Sequence, residues 1–211
     1  MITEIKDHRV KHGDVMQLAA SNNLMQNDKA HIFYSDPPWG RGNISYWQTI
    51  NAKMNEGTEK SVIEYNAFVS QIFNLASSFT SDNGIVFIEY GCKWADDILN
   101  MAKKYGLIHL GTAKPLYKSG SKLLPLDLHI FSKQQINLEI GYLDAIRDTY
   151  GLDTLRQAVR PFVKAGEIIF DPCCGMGYCA QIAIENNMVF RGNELNKARL
   201  QKTIDRLSKS K

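Results

Sequence analysis

Five short apolar runs punctuate this chain, and stretches of helical periodicity separate them. The runs are His31-Ile32-Phe33-Tyr34, Ile85-Val86-Phe87-Ile88, Leu128-His129-Ile130-Phe131, Glu167-Ile168-Ile169-Phe170 and Met188-Val189-Phe190-Arg191-Gly192. Their length and their β-branched and aromatic content predict buried strands. Between them, Glu64–Phe79 carries Phe68, Ile72, Leu75 and Phe79 at helical spacing. Trp94–Tyr105 predicts a second helix, with Gly106 in the position of a C-terminal cap. Leu107–Leu110 adds a strand, and residues 139–163 read as helix in one or two pieces broken near Gly151. Tyr178–Asn186 and Asn196 to about Ser208 complete the helices, and Gly13-Asp14-Val15 closes an initial short strand. Strand and helix in alternation fold as a mostly parallel sheet wrapped on both faces, the doubly wound α/β class.

At 211 residues the chain suits a single domain with one sizeable core. A hydrophobic content of 44% and a charged content of 22% are those of an ordinary globular protein. No apolar run reaches the length of a membrane span, and the first residues lack a signal-peptide core, so a cytoplasmic protein is expected. The net charge of +3 permits a polyanionic partner without demanding one. Cys173, Cys174 and Cys179 crowd one stretch without a nearby histidine, and Cys92 stands apart. Neither a disulfide framework nor a zinc site follows from that spacing.

Two strand ends carry unusual chemistry. His31–Tyr34 runs into Asp36-Pro37-Pro38-Trp39, which combines an acid, two rigid prolines and an indole where open α/β sheets bind ligands. This set suits gripping a planar base that bears an amino group. Phe170 runs into Asp171-Pro172-Cys173-Cys174-Gly175-Met176-Gly177, and a helix begins directly afterwards. Glycines there either let the backbone approach a ligand or simply connect strand and helix. Glu194 closes the next strand, about where nucleoside-binding folds place an acid for ribose hydroxyls.

Taken together, these residues make the chain resemble the S-adenosylmethionine-dependent amino-methyltransferases that modify adenine or cytosine. The tetrapeptide precedes the glycine turn, which is the permuted order of the beta-type enzymes, and the resemblance runs from about Gly13 to Glu194. It implies a Rossmann-like methyltransferase fold, with S-adenosylmethionine held by Asp171, Cys173, Gly175, Gly177 and Glu194. It further implies catalysis at Asp36, Pro37, Pro38 and Trp39, and Asp36 favours adenine N6 over cytosine N4. Cys173 stands where the family usually has phenylalanine, and Met176 and Tyr178 replace small or hydroxyl residues. The family's Lys-Pro element before the glycine turn is missing.

DNA is the leading substrate, with RNA or cytosine N4 as alternatives and a silent nucleic-acid-binding partner subunit as a different kind of outcome. Two recognition segments are expected. One is a mobile polar loop over residues 40–60, containing Arg41, Tyr46, Trp47 and Lys53. The other spans 111–127, with Lys114, Lys118 and Lys122. Aromatics interleaved with cations suit a nucleic acid, and Arg41, Trp47, Lys114 and Lys118 are the named contacts. The basic run Lys197, Arg199, Lys202, Arg206, Lys209 and Lys211 reads first as the wet face of a terminal helix. With so little room for recognition elements, the chain is expected either to have loose sequence preference or to work as a homodimer or with a recognition subunit.

Overall fold

The computed structural model describes residues 2–54 and 64–209. Its elements in order are β1 (Ile2–Ile5), β2 (His8–His12), α1 (Leu18–Met25), β3 (Ala30–Ser35), α2 (Gly40–Met54), α3 (Tyr65–Phe79), β4 (Thr80–Tyr90) and α4 (Ala95–Lys104). There follow β5 (Ile108–Ala113), β6 (Leu116–Ser119), β7 (Lys122–Pro125), β8 (Asp127–Ser132), α5 (Tyr142–Ile146) and α6 (Leu152–Val159). The chain then forms β9 (Ile168–Asp171), α7 (Tyr178–Glu185), β10 (Val189–Glu194) and α8 (Lys197–Ser208). None of the helices described is long and apolar enough to cross a membrane.

Eight strands form one sheet in the order β1-β2-β10-β9-β3-β4-β8-β5. The neighbours from β2 to β4 are all parallel, whereas β1 and β8 each pair antiparallel to their neighbours. Both faces are covered, which is why the strands read as continuous apolar runs. Side chains alternate across the sheet. Ile32, Ile85, Phe87, Ile130 and Ile169 pack with α5–α8, while Phe33, Val86, Ile88, Phe131 and Phe170 pack with α1, α3 and α4. Phe33 meets Phe170 edge-on at 5.4 Å between ring centroids, joining β3 to β9 through side chains as well as backbone.

Chain order reverses between these two central strands. From β9 the chain proceeds through α7 to β10 on one side, and from β3 through α2 and α3 to β4 on the other. That point is the topological switch, and ligands bind in the crevice it opens at the carboxyl ends of strands.

Three expectations are corrected. The polar stretch after Trp39 is not a loop over its described length but the helix α2, Gly40–Met54. Its glycines and asparagines disfavour helix intrinsically, and packing overrides them: its own Ile44 and Asn51 are buried. Residues 55–60 of that expectation, and Lys211 of the basic run, lie outside the described residues. Asp82-Asn83-Gly84, read as a turn, falls inside β4, where the register to β3 slips between Ala30 and Ile32 and absorbs the extra residues. The 111–127 segment is the end of β5 followed by the β6–β7 hairpin, which turns at Gly120 with φ +62°. The break near Gly151 stands as expected, between α5 and α6, with Gly151 at φ +59°.

Candidate active site

A cleft of about 920 Å³ opens at the switch point, and both sequence motifs line it. The parallel register explains how. Ser35 pairs with Ile88, so Asp36 follows beside Glu89; Phe33 pairs with Phe170, so Tyr34 follows beside Asp171. Four polar side chains from three adjacent strands thus share one end of the sheet.

Asp36 accepts a hydrogen bond at Oδ1 from the Trp39 indole Nε1–H, 3.1 Å away. Trp39 in turn stands edge-on to Tyr117 of the hairpin, centroids 4.8 Å apart. The Tyr90 hydroxyl anchors the end of the tetrapeptide: it accepts from the Gly40 N–H at 3.0 Å and donates to the Pro38 carbonyl at 3.4 Å. Gly40 has φ +63°, and a Cβ there would lie 2.1 Å from the Trp94 ring, so no other residue could start α2 this close. Asp36 keeps accessible surface in the cleft, yet surrounding protein withholds enough water to push its carboxyl upward. The Trp39 N–H and the Arg199 charge pull it back down.

Opposite lies the glycine turn. Glu194 accepts from the Gly175 N–H at Oε2 and from the Asn196 N–H at Oε1, both at 2.8 Å, and so holds the turn in shape. A carboxylate oxygen has a second lone pair, so both atoms keep capacity for a ligand hydroxyl. Asp171 accepts from the Cys173 N–H at 3.0 Å, and burial pushes its carboxyl up to about 7. Asn193 donates to the carbonyls of Gly13 and Pro172 at 3.0 and 3.2 Å, while its Oδ1 is buried without a partner at the cleft wall. Burial holds the thiols of Cys173, Cys174 and Cys179 well above their ordinary range, so they pack as neutral groups.

The expected residues divide by position. Asp36, Pro37, Pro38, Trp39, Asp171, Cys173, Gly175 and Glu194 line the cleft, as do Trp47 and Lys118. Gly177 does not: with φ +83°, it lies where a Cβ would meet the Thr203 backbone at 3.1 Å, so it seats α8. Arg41 lines a separate hollow with Lys93, Trp94 and Asp97. Lys114 is paired 2.7 Å from Asp127. Sequence reading passed over Glu89, Tyr34, Asn193 and the rim aromatics Tyr117 and Tyr150, and placed Arg199 in a terminal basic run read first as the wet face of a helix. Arg199 lies with its guanidinium 4.6 Å from the Trp47 ring centre, joining α8 to α2 at the cleft. The one available signal for Glu89 was an acid ending an otherwise apolar run.

No protein-family model and no curated protein sequence matches this chain. Solved structures resemble it. The complex of M1.HpyAVI with SAM has a TM-score of 0.65 at 15% identity, over 94% of this chain and 98% of that one. TTHA0409 from Thermus thermophilus, assigned as a DNA modification methylase, has a TM-score of 0.68 at 17% identity, over 96% and 95%. The cytosine-N4-specific PvuII DNA methyltransferase has a TM-score of 0.64 at 11% identity, over 93% and 85%. At these identities the likeness establishes the fold, the doubly wound Rossmann-like architecture those methyltransferases share.

Proposed function

We propose that this chain transfers a methyl group from S-adenosylmethionine to the exocyclic N6 amino group of adenine in DNA. The observation that carries the reading is the meeting of Asp36 and the Asp171–Glu194 turn in one cleft, although they are far apart in sequence. Its volume lies within the range of about 300–1,000 Å³ typical of small-molecule sites. The turn suits a nucleoside. Gly175, at φ +52°, lets the turn line the cleft without a Cβ, Glu194 retains free lone pairs, and the orphaned Oδ1 of Asn193 calls for a donor. Gly175, Cys173, Asn193 and Glu194 would hold the cofactor, which supplies a sulfonium methyl group when bound.

The remaining work belongs to Asp36 and its neighbours. The lone pair of an adenine amino nitrogen is delocalised into the ring. Asp36 and the Pro37 carbonyl accept its N–H bonds and draw the nitrogen toward a tetrahedral shape. Trp39 keeps the carboxylate aimed through its own N–H. Positioning and electrostatics supply the acceleration, with no covalent enzyme intermediate. Rim aromatics offer stacking surfaces of about 1–3 kcal/mol per base, and Lys118 offers a phosphate contact.

A cytosine-N4 target is the second reading, favoured by the likeness to the PvuII enzyme. Nucleoside mass spectrometry of DNA and RNA from cells expressing wild type or Asp36→Ala decides between them. Methyladenine in DNA that depends on Asp36 is the expected result; methylcytosine or methylated RNA would redirect the target. Calorimetry showing no binding of S-adenosylmethionine at millimolar concentration would sink the enzyme reading.

A further inference from the structure

Asp36 and Glu89 end adjacent parallel strands at neighbouring register positions, and both line the cleft. The Tyr34 hydroxyl donates to Glu89 Oε1, which leaves Oε2 as the atom available to the cleft. With adjacent register positions and burial raising both groups, the two carboxyls compete to ionise, and the pair favours keeping one proton. The neighbours decide where it goes. Asp36 has the Trp39 N–H and the Arg199 charge in its favour as an anion. Glu89 faces Tyr34 on β3 and Asp36 just after it, Asp171 on β9, the neutral Cys179 on α7 and the apolar Leu128 on β8, and the cleft beyond carries Asp153, Lys118 and Arg199. Neither cation is among the groups that shift Glu89, and burial together with Asp36 pushes its carboxyl upward. Tyr34, itself held far from ionisation, stays a donor.

We propose that Glu89 reads the target base, donating from a neutral Oε2–H to the ring nitrogen beside the amino group that Asp36 engages. This rests on the amino-methyltransferase reading above. An ionised Asp36 beside a protonated Glu89 presents an acceptor next to a donor. Adenine, with its N6 amino group next to N1, and cytosine, with N4 next to N3, match that pattern on their Watson–Crick edges. Guanine and thymine offer carbonyl oxygen next to N–H, which reverses it and leaves buried groups opposed. The dyad therefore selects amino bases as a class.

The test is single-turnover methyl transfer from tritiated S-adenosylmethionine to unmethylated DNA between pH 6 and 9, with thermal melts to confirm folding. Wild-type rate is expected to fall as pH rises and Glu89 ionises. Glu89→Gln, whose amide donates at any pH, is expected to stay within a few-fold of wild type at pH 7 and to lose the alkaline decline. Glu89→Leu is expected to lose about 10- to 100-fold, the scale of one base-edge contact, with cofactor affinity unchanged. Substituting 1-deazaadenine for adenine, or 3-deazacytosine for cytosine, should slow wild type to the level of Glu89→Leu and leave that variant unaffected. An inactive Glu89→Gln with a wild-type rate that climbs with pH would make Glu89 a proton acceptor and overturn the proposal. A fully active Glu89→Leu would overturn it as well. Either result in an active wild type refutes Glu89 alone, whereas a wild type that transfers no methyl group refutes the function itself.

Discussion

Asp171 shows how a single buried acid makes stability depend on pH. Its carboxyl lies near 7 in the folded chain against 3.8 when free, with burial as the leading cause. The folded state thus holds the proton more tightly than the unfolded one. The contribution to stability is full below about pH 4 and is lost as pH rises through about 7. Between pH 8 and pH 5, wild type should gain on the order of 2 kcal/mol more stability than Asp171→Asn. Urea titrations of both proteins at the two pH values measure this, and parallel slopes would contradict it. The same residue keeps one oxygen on the Cys173 N–H, so the substitution leaves the turn closed.

Among elements, α2 matters most because it roofs the cleft while depending on α8 for its position. Asn196 ties them: its Nδ2 donates to Asn51 Oδ1 at 3.1 Å, and its Oδ1 caps α8 by accepting from the Arg199 N–H at 3.0 Å. Asn196→Ala removes the cap and strips buried Asn51 of this donor. It should cost about 2 kcal/mol and speed hydrogen exchange in α2 more than in α3. Unchanged exchange in α2 would mean that it is held without this tie. The same helix marks the limit of what the sequence discloses. The central strands were legible as short continuous apolar runs buried on both faces, and α3 because its apolar residues recur with period 3.6. The buried stripe of α2 includes the polar Asn51, and its first turn holds two glycines, so neither periodicity nor propensity revealed it. Asp36 and Glu194 were legible because motif chemistry needs those residue types. Glu89 was not, because one acid at a strand end has meaning only beside Asp36, and that adjacency exists only in the folded sheet.

At the scale of the molecule, the chain enters its own sheet beside its last strand. β2 pairs with β10 in a register that sets Arg9 beside Arg191, two like charges facing directly. Repulsion at such a pair is destabilising, and Asp28 sits between them to offset it. Asp28 Oδ2 accepts from Arg191 Nη2 and Nε at 2.8 and 3.0 Å and from Arg9 as well. Asp28→Ala leaves two mostly buried guanidiniums without this partner. It should destabilise by about 3 kcal/mol, near the low end for such losses because Asp28 retains 31% of its side-chain surface in water. Equilibrium denaturation reads this directly; a change under about 1 kcal/mol would show the arginines to be solvated well enough alone.

The switch point also dictates when the cleft can exist. Its two walls join through the sheet where Ile32 and Phe33 pair with Ile169 and Phe170, a contact between strands separated by most of the chain. Closing so long a loop costs entropy before any contact repays it, so pairings of this kind form late in folding. A partly folded chain can own both motifs and still have no cleft. Ligands of the cleft therefore have nothing to bind until the central pair has zipped, and their binding should slow unfolding while leaving the folding rate untouched.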